Sequence, residues 1–255
     1  MKSRANRKTF IALLLLVSMA GGAHALDMLS HRASYHASVQ ILRGDPATRA
    51  GEGFVEWRTE DHCETWLFSE VSMFRIGSGG DAPEFASNQV SFEAKDGSWY
   101  RFQNEFEGPG GAELSSGEAV VDEADEPGRI VVDEPETLTE DLPVGAVFPM
   151  RFTIDVLERA ATGERFMNHV VFDGMDGPVA SEYTTFVQSV GESDGHKTWT
   201  MKVSVFTDPE HIGPDLEMTA SIRDDGVIDA IRYEDDTTVT TLTLQELIEL
   251  PPGDC

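Results

Sequence analysis

The residues best placed to do chemistry, by type and spacing, are Gly191-Glu192-Ser193-Asp194-Gly195. They match G-x-S-x-G, the pattern in which a serine on a sharp strand-to-helix turn attacks an acyl carbon. That turn needs a helix after it, and Thr198-Trp199-Thr200-Met201-Lys202-Val203 reads as a strand. A hairpin loop of Gly, Ser and Asp is therefore expected, and the chain reads as a non-enzyme. Asp173-Gly174-Met175-Asp176-Gly177-Pro178 resembles a cation loop, but it lacks the alternating oxygen ligands and closing Glu of an EF-hand, so a turn is expected. The acidic stretch from Asp122 to Asp141 reads likewise as a solvated loop. His31, His36, His62, His169, His196 and His211 show no metal-ligand spacing, and no glycine-rich phosphate motif occurs. Neither a metal site nor a cofactor is expected.

The elements that would carry these residues are almost all strands. Ala33, Tyr35, Ala37, Val39 and Ile41 alternate along one face, and Val55 and Trp57 share another. Residues 65–74, 89–95, 166–172, 182–190, 197–207 and 237–244 read as further strands. Asp96-Gly97 and Asp225-Gly226, each between strand formers, predict tight hairpins, and Ala119–Val121 with Ile130–Val132 predict a third. One segment departs from period two. From Pro149 the apolar residues Met150, Ile154, Leu157 and Ala161 recur at helical spacing, with Gly163 as a stop and no good polar N-cap. One helix among a dozen short strands predicts an all-β, mainly antiparallel domain over residues 26–255. The aromatics Trp57, Trp66, Phe92, Tyr100 and Phe102 are expected to point inward, to fill a packed core or to line an apolar cavity.

Charge bounds the partners. The chain carries 19 basic and 46 acidic residues, a net charge of −27. Residues 1–25 read as a secretory signal peptide. Lys2, Arg4, Arg7 and Lys8 precede the apolar run around Leu13-Leu14-Leu15-Leu16-Val17, and Ala23-His24-Ala25 fits small-x-small cleavage before Leu26. The apolar run is shorter than the ~20 residues a span takes. No later segment is apolar enough to cross a membrane, so a soluble exported protein is expected. Cleavage would leave 15 basic against 46 acidic residues, a net charge of −31. Such a body repels nucleic-acid phosphates and anionic lipid headgroups. Its 40% hydrophobic content excludes a disordered acidic tail. Self-repulsion of this size predicts a melting temperature that rises from dilute buffer to about 1 M NaCl, where the Debye length is ~3 Å. A flat or falling Tm would contradict this and the saline habitat it points to.

Cys63 and Cys255 are the only cysteines, and export favours a disulfide between them. It would enclose about 190 residues, for which chain entropy allows at most about 5 kcal/mol.

Taken in order, a set of residues resembles one family. They are His31-Arg32-Ala33-Ser34-Tyr35, Cys63-Glu64-Thr65-Trp66, Ser91-Phe92-Glu93-Ala94-Lys95-Asp96-Gly97 with Tyr100-Arg101-Phe102, and Leu142-Pro143-Val144-Gly145 with Phe148-Pro149. Ala160, Gly163, Val171-Phe172-Asp173-Gly174, Leu250-Pro251 and Cys255 complete it. The chain is similar to the cell envelope integrity protein EipB family, periplasmic proteins of alphaproteobacteria first catalogued as a domain of unknown function. Phe92 stands where that family usually has Trp. The resemblance implies a broken, spiral-like or partly closed curved antiparallel sheet with one main helix near residues 149–162, and a Cys63–Cys255 disulfide. It implies a non-enzymatic role in cell envelope integrity, exerted through protein contacts, with a TPR-repeat protein of the periplasm as partner. The alternative is a carrier of a lipid or other apolar envelope molecule held in the curved sheet.

Overall fold

The computed structural model describes residues 26–43, 50–77, 82–121, 125–208, 211–251 and 253. The expected signal peptide, Asp122 and Cys255 lie outside the described residues, and the stretch from Asp122 to Asp141, expected as a solvated loop, instead carries strands over Gly128–Glu134 and Leu138–Leu142, held by antiparallel pairing.

Alternation of period two becomes a single antiparallel meander. Its strands are β1 (His31–Ile41), β2 (Ala50–His62), β3 (Thr65–Ile76), β4 (Glu84–Ala94), β5 (Trp99–Gly108), β6 (Gly111–Val120), β7 (Gly128–Glu134) and β8 (Leu138–Leu142). After helix α1 (Pro149–Ala161) come β9 (Phe166–Val171), β10 (Ser181–Ser193), β11 (His196–Phe206), β12 (Leu216–Arg223), β13 (Ile228–Glu234) and β14 (Thr238–Glu249). All fourteen form one sheet in the order β8-β7-β6-β5-β4-β3-β2-β1-β14-β13-β12-β11-β10-β9. Sequence neighbours pair throughout except β8 and β9, and β1 pairs with β14 in the middle. The sheet is curved and not closed into a barrel, and α1 lies in the connection between its two edge strands, β8 and β9. One parallel bridge, Val147 to Val171, joins that connection to β9 at the foot of the helix.

The turn chemistry works as the residues dictate. Gly97 (φ 77°) and Gly226 (φ 84°) supply the left-handed backbone of the two Asp-Gly hairpins. Between β10 and β11, Asp194 (φ 50°) and Gly195 (φ 85°) are both left-handed, as a type I′ turn requires. Helix α1 stops at Thr162, with Gly163 (φ 95°) donating its N–H to the Ala160 carbonyl at 3.0 Å.

Three apolar clusters fill the molecule. Ala33, Tyr35, Val55, Trp57, Ile231 and Leu242 pack where β1, β2, β13 and β14 meet. Trp66, Val156, Leu157, Ala160, Met167, Trp199 and Met201 seat the helix. Tyr100, Phe102, Ile130, Leu142, Phe148 and Phe172 form the third, around the edge strand β8 and the start of the helix. The helix buries Val156, Leu157 and Ala160, whereas Ala161, expected on its apolar face, is exposed. The seam is therefore turned from the expected one, because Phe152 and Val156 also face the sheet.

Candidate functional site

Register decides which residues share a surface. Ala33, Trp57, Glu70, Gln89, Asn104 and Ser115 oppose one another across β1 to β6, and Ala33 and Trp57 are buried. Glu70, Gln89, Asn104 and Ser115 thus form a polar row on the face that elsewhere carries the core. The neighbouring row holds Ser72, Ser87 and Phe106, with Ser72 Oγ and Ser87 Oγ 2.6 Å apart. Beyond it the Phe85 and Phe106 rings stack with centroids 6.2 Å apart. Trp57 Nε1 donates to Glu70 Oε2 at 2.7 Å. Burial pushes the Glu70 carboxyl above the usual carboxylate range, against the opposing pull of the Trp57 and Ser87 donors. Asn104 Nδ2 donates to the Gly174 carbonyl at 3.0 Å, while its Oδ1 is buried without a partner.

The opposite, outer face carries exposed apolar side chains. Phe54 opposes Met73, and both are about half exposed, with Val71 and Phe92 on the same face. A shallow depression of about 260 Å³ lies there, lined by His36, Phe54 and Met73 and rimmed by Glu52, Arg75 and Glu84. A second, of about 300 Å³, lies between Ala160 and Gly163 at the helix end and Val187 to Val190 of β10.

The five aromatics expected to face inward separate. Trp57, Trp66, Tyr100 and Phe102 are buried, but in three different clusters. Phe92 is 43% exposed, which corrects the expectation that it points inward. Its partner across β5 is Arg101, whereas Tyr100 and Phe102 pair with Glu93 and Ser91. Strand parity therefore sends Phe92 out and Glu93 in.

Glu93 has the burial that an aromatic would be expected to have, with 3% exposure. Its carboxylate accepts the Met150 and Arg151 N–H groups, each at 2.7 Å. The missing N-cap of α1 is thus supplied from β4, 57 residues earlier in the chain. No local sequence signal could reveal a cap so distant.

Asp173 and Gly174 lie in the non-strand connection between β9 and β10, where a turn is expected, and they anchor two distant strands. Tyr100 Oη donates to the Asp173 carbonyl at 3.0 Å and Tyr183 Oη to its Oδ2 at 2.8 Å, so β5 and β10 share one anchor. Gly174 (φ 73°) lies so close to the Phe102 ring that a Cβ would meet it at 2.6 Å.

Ser193 sits on the I′ hairpin, and a strand follows it. His196 opposes it, with Nδ1 2.9 Å from Asp224 Oδ1 and 3.5 Å from Asp225 Oδ2. No hydrogen bond joins Ser193 Oγ to His196 among the described residues. His196, Asp224 and Asp225 have the ligand spacing for a metal ion, which sequence spacing alone did not reveal because β11 and β12 bring them together. The cluster already has internal partners, since Arg223 Nε also pairs with Asp225 at 3.1 Å.

A family model described as EipB-like matches residues 22–248. No curated protein matches. A crystal structure of a beta-barrel-like protein of domain of unknown function DUF1849 from Brucella abortus superposes with a TM-score of 0.80 at 17% identity. That match covers 89% of this chain and 100% of that one, a likeness of fold. A DUF1329 family protein from Desulfovibrio piger, 10% identical over 86% of each chain, reaches a TM-score of only 0.27.

Proposed function

Because the chain belongs to the EipB-like family, we propose that it is a non-catalytic periplasmic protein that supports the cell envelope by binding another protein. In this reading residues 1–25 are removed after Ala25 on export, and the partner is a periplasmic protein of TPR repeats. The observation that carries the reading is the outer-face patch of Phe54, Val71 and Met73 at a charge-rimmed depression. Large apolar side chains grouped on a strand surface mark contact sites more often than scattered ones do. Stacked helix pairs present a long concave surface that suits such a patch.

The carrier alternative requires one continuous apolar cavity, and the buried aromatics are instead divided among three packed clusters.

Deleting the gene in its own host is expected to sensitise cells to detergent and to cell-wall antibiotics. Wild-type protein, with a mature chain that N-terminal sequencing reads from Leu26, restores resistance. The double variant Phe54→Ser/Met73→Ser is expected to fold normally, since exposed substitutions shift stability by only about 0.5 kcal/mol each. It is expected not to restore resistance. A deletion strain as resistant as its parent would overturn the envelope role, and full rescue by the double variant would overturn the contact surface.

A further inference from the structure

A polar row on an inward face needs a reason. Strands β3 to β6 keep alternating as they leave the apolar clusters, yet their inward positions change from Phe68 and Phe102 to Glu70, Gln89, Asn104 and Ser115. An unpaired polar atom held away from water is costly, and an apolar side chain in its place would remove that cost. Asn104 Oδ1 is in that condition, buried and without a partner. The residues adjoining the row toward the strand ends are not apolar filler either. Ser72 and Ser87 add hydroxyls, and Phe85 and Phe106 add two stacked rings, the second 45% exposed.

The chemistry of this wall is selective. Planar amides donate and accept at once, as vicinal hydroxyls and acetamido groups require. Exposed aromatic faces pack against the C–H face of a pyranose ring. A lipid tail laid along the wall would keep Asn104 Oδ1 away from water without a partner. An anionic ligand would meet Glu70 and the acidic body of the protein. A cation would find the Glu70 carboxylate already accepting from Trp57. Four strands at ~4.8 Å spacing make the row about 14 Å long, suited to several linked rings rather than one.

We propose that the inward row Glu70–Gln89–Asn104–Ser115, with the Phe85/Phe106 pair as its stacking platform, is a binding site for a neutral oligosaccharide bearing hydroxyl and acetamido groups. It lies on the opposite face from the protein-contact patch and does not depend on it.

The test is calorimetric titration of the purified mature protein with chitotetraose, which carries acetamido groups, and with maltotetraose, which does not. Saturable binding of chitotetraose is expected, with weaker or no binding of maltotetraose. Phe106→Ala and Gln89→Leu are each expected to weaken it about tenfold or more with an unchanged melting curve. Phe92→Ala, on the outer face, is expected to leave it unaltered. Should Gln89→Leu melt early, Ser115→Ala takes its place. The proposal is overturned if chitotetraose does not bind at about 10 mM, if maltotetraose binds as tightly, or if either wall variant retains full affinity. A fluorescent fatty acid that binds this wall, and binds Gln89→Leu more tightly, would also overturn it by assigning the wall to lipid. These outcomes are separate from detergent resistance in cells, so failure here leaves the envelope role to its own test.

Discussion

Glu93→Ala is expected to destabilise the protein by about 2–4 kcal/mol at pH 5 and to loosen the helix before the sheet. Two consequences add. The Met150 and Arg151 N–H groups lose their acceptor at the helix start, where a lost cap typically costs ~1 kcal/mol. A side chain with 3% exposure is also truncated, leaving a void beside Trp66 and Tyr100, its neighbours across β3 and β5. Urea denaturation measures the total, and amide exchange of residues 150–157 reads the helix. Exchange rates in α1 that rise no more than those in β1 would refute the cap.

The same residue makes stability depend on pH. Burial pushes the Glu93 carboxyl up to about 7, against the two backbone donors and the Arg151 charge, which pull it down. The folded chain therefore holds this proton at pH values where the unfolded chain, with an ordinary carboxyl near 4.5, has released it. The stability tied to this group is full below about 4.5 and is lost as pH rises to about 7, a change of about 3 kcal/mol. Neutral Glu93→Gln lacks that slope. Its stability relative to wild type is expected to rise across the window and level off above it. His31, held below its usual range chiefly by burial, contributes the opposite slope in both proteins and cancels in the comparison. A difference curve that is flat between pH 4.5 and 7 would contradict the assignment.

Breaking the proposed Cys63–Cys255 disulfide is expected to cost about 2–5 kcal/mol, lowering Tm by about 5–15 °C. The tail approaches the right place. The Leu250 N–H donates to the Ser30 carbonyl at 2.8 Å, and Ser30 Oγ accepts from the Asp61 N–H at 2.9 Å. A Cβ on Gly253 would meet the Asp61 carbonyl at 2.4 Å, so glycine lets the tail run close against the β2–β3 turn that carries Cys63. Intact mass after alkylation without reductant should show no added groups. Two alkylated thiols in the native protein would refute the bond, and an unchanged Tm for Cys63→Ser would refute its contribution.

Much of the fold was legible residue by residue. Ala33, Tyr35 and Ala37 share a buried face as their alternation requires, and both Asp-Gly hairpins form where those pairs occur. The β5–β6 hairpin and the short edge strand β8 were less visible. Gly, Ser and Glu dominate the β6 stretch Gly111–Glu118, and Glu140 and Asp141 lie inside the five-residue β8, residues of weak strand propensity that only pairing to a neighbour holds extended. The site was less visible still, and Phe92 shows why. Alternation says that Phe92 and Glu93 face opposite ways, but not which of them faces in.

By itself, then, the sequence determined an all-β meander with one helix, its hairpins and its excess of acid, because period, turn chemistry and charge are properties of neighbouring residues. The tertiary structure decided the rest. It brought Glu93 beneath a helix 57 residues away, joined β5 to β10 through Asp173, and aligned one polar residue from each of four strands on a single wall. Each of those contacts depends on strand register and sheet curvature, which are fixed by the summed packing of distant segments and leave no local mark in the chain.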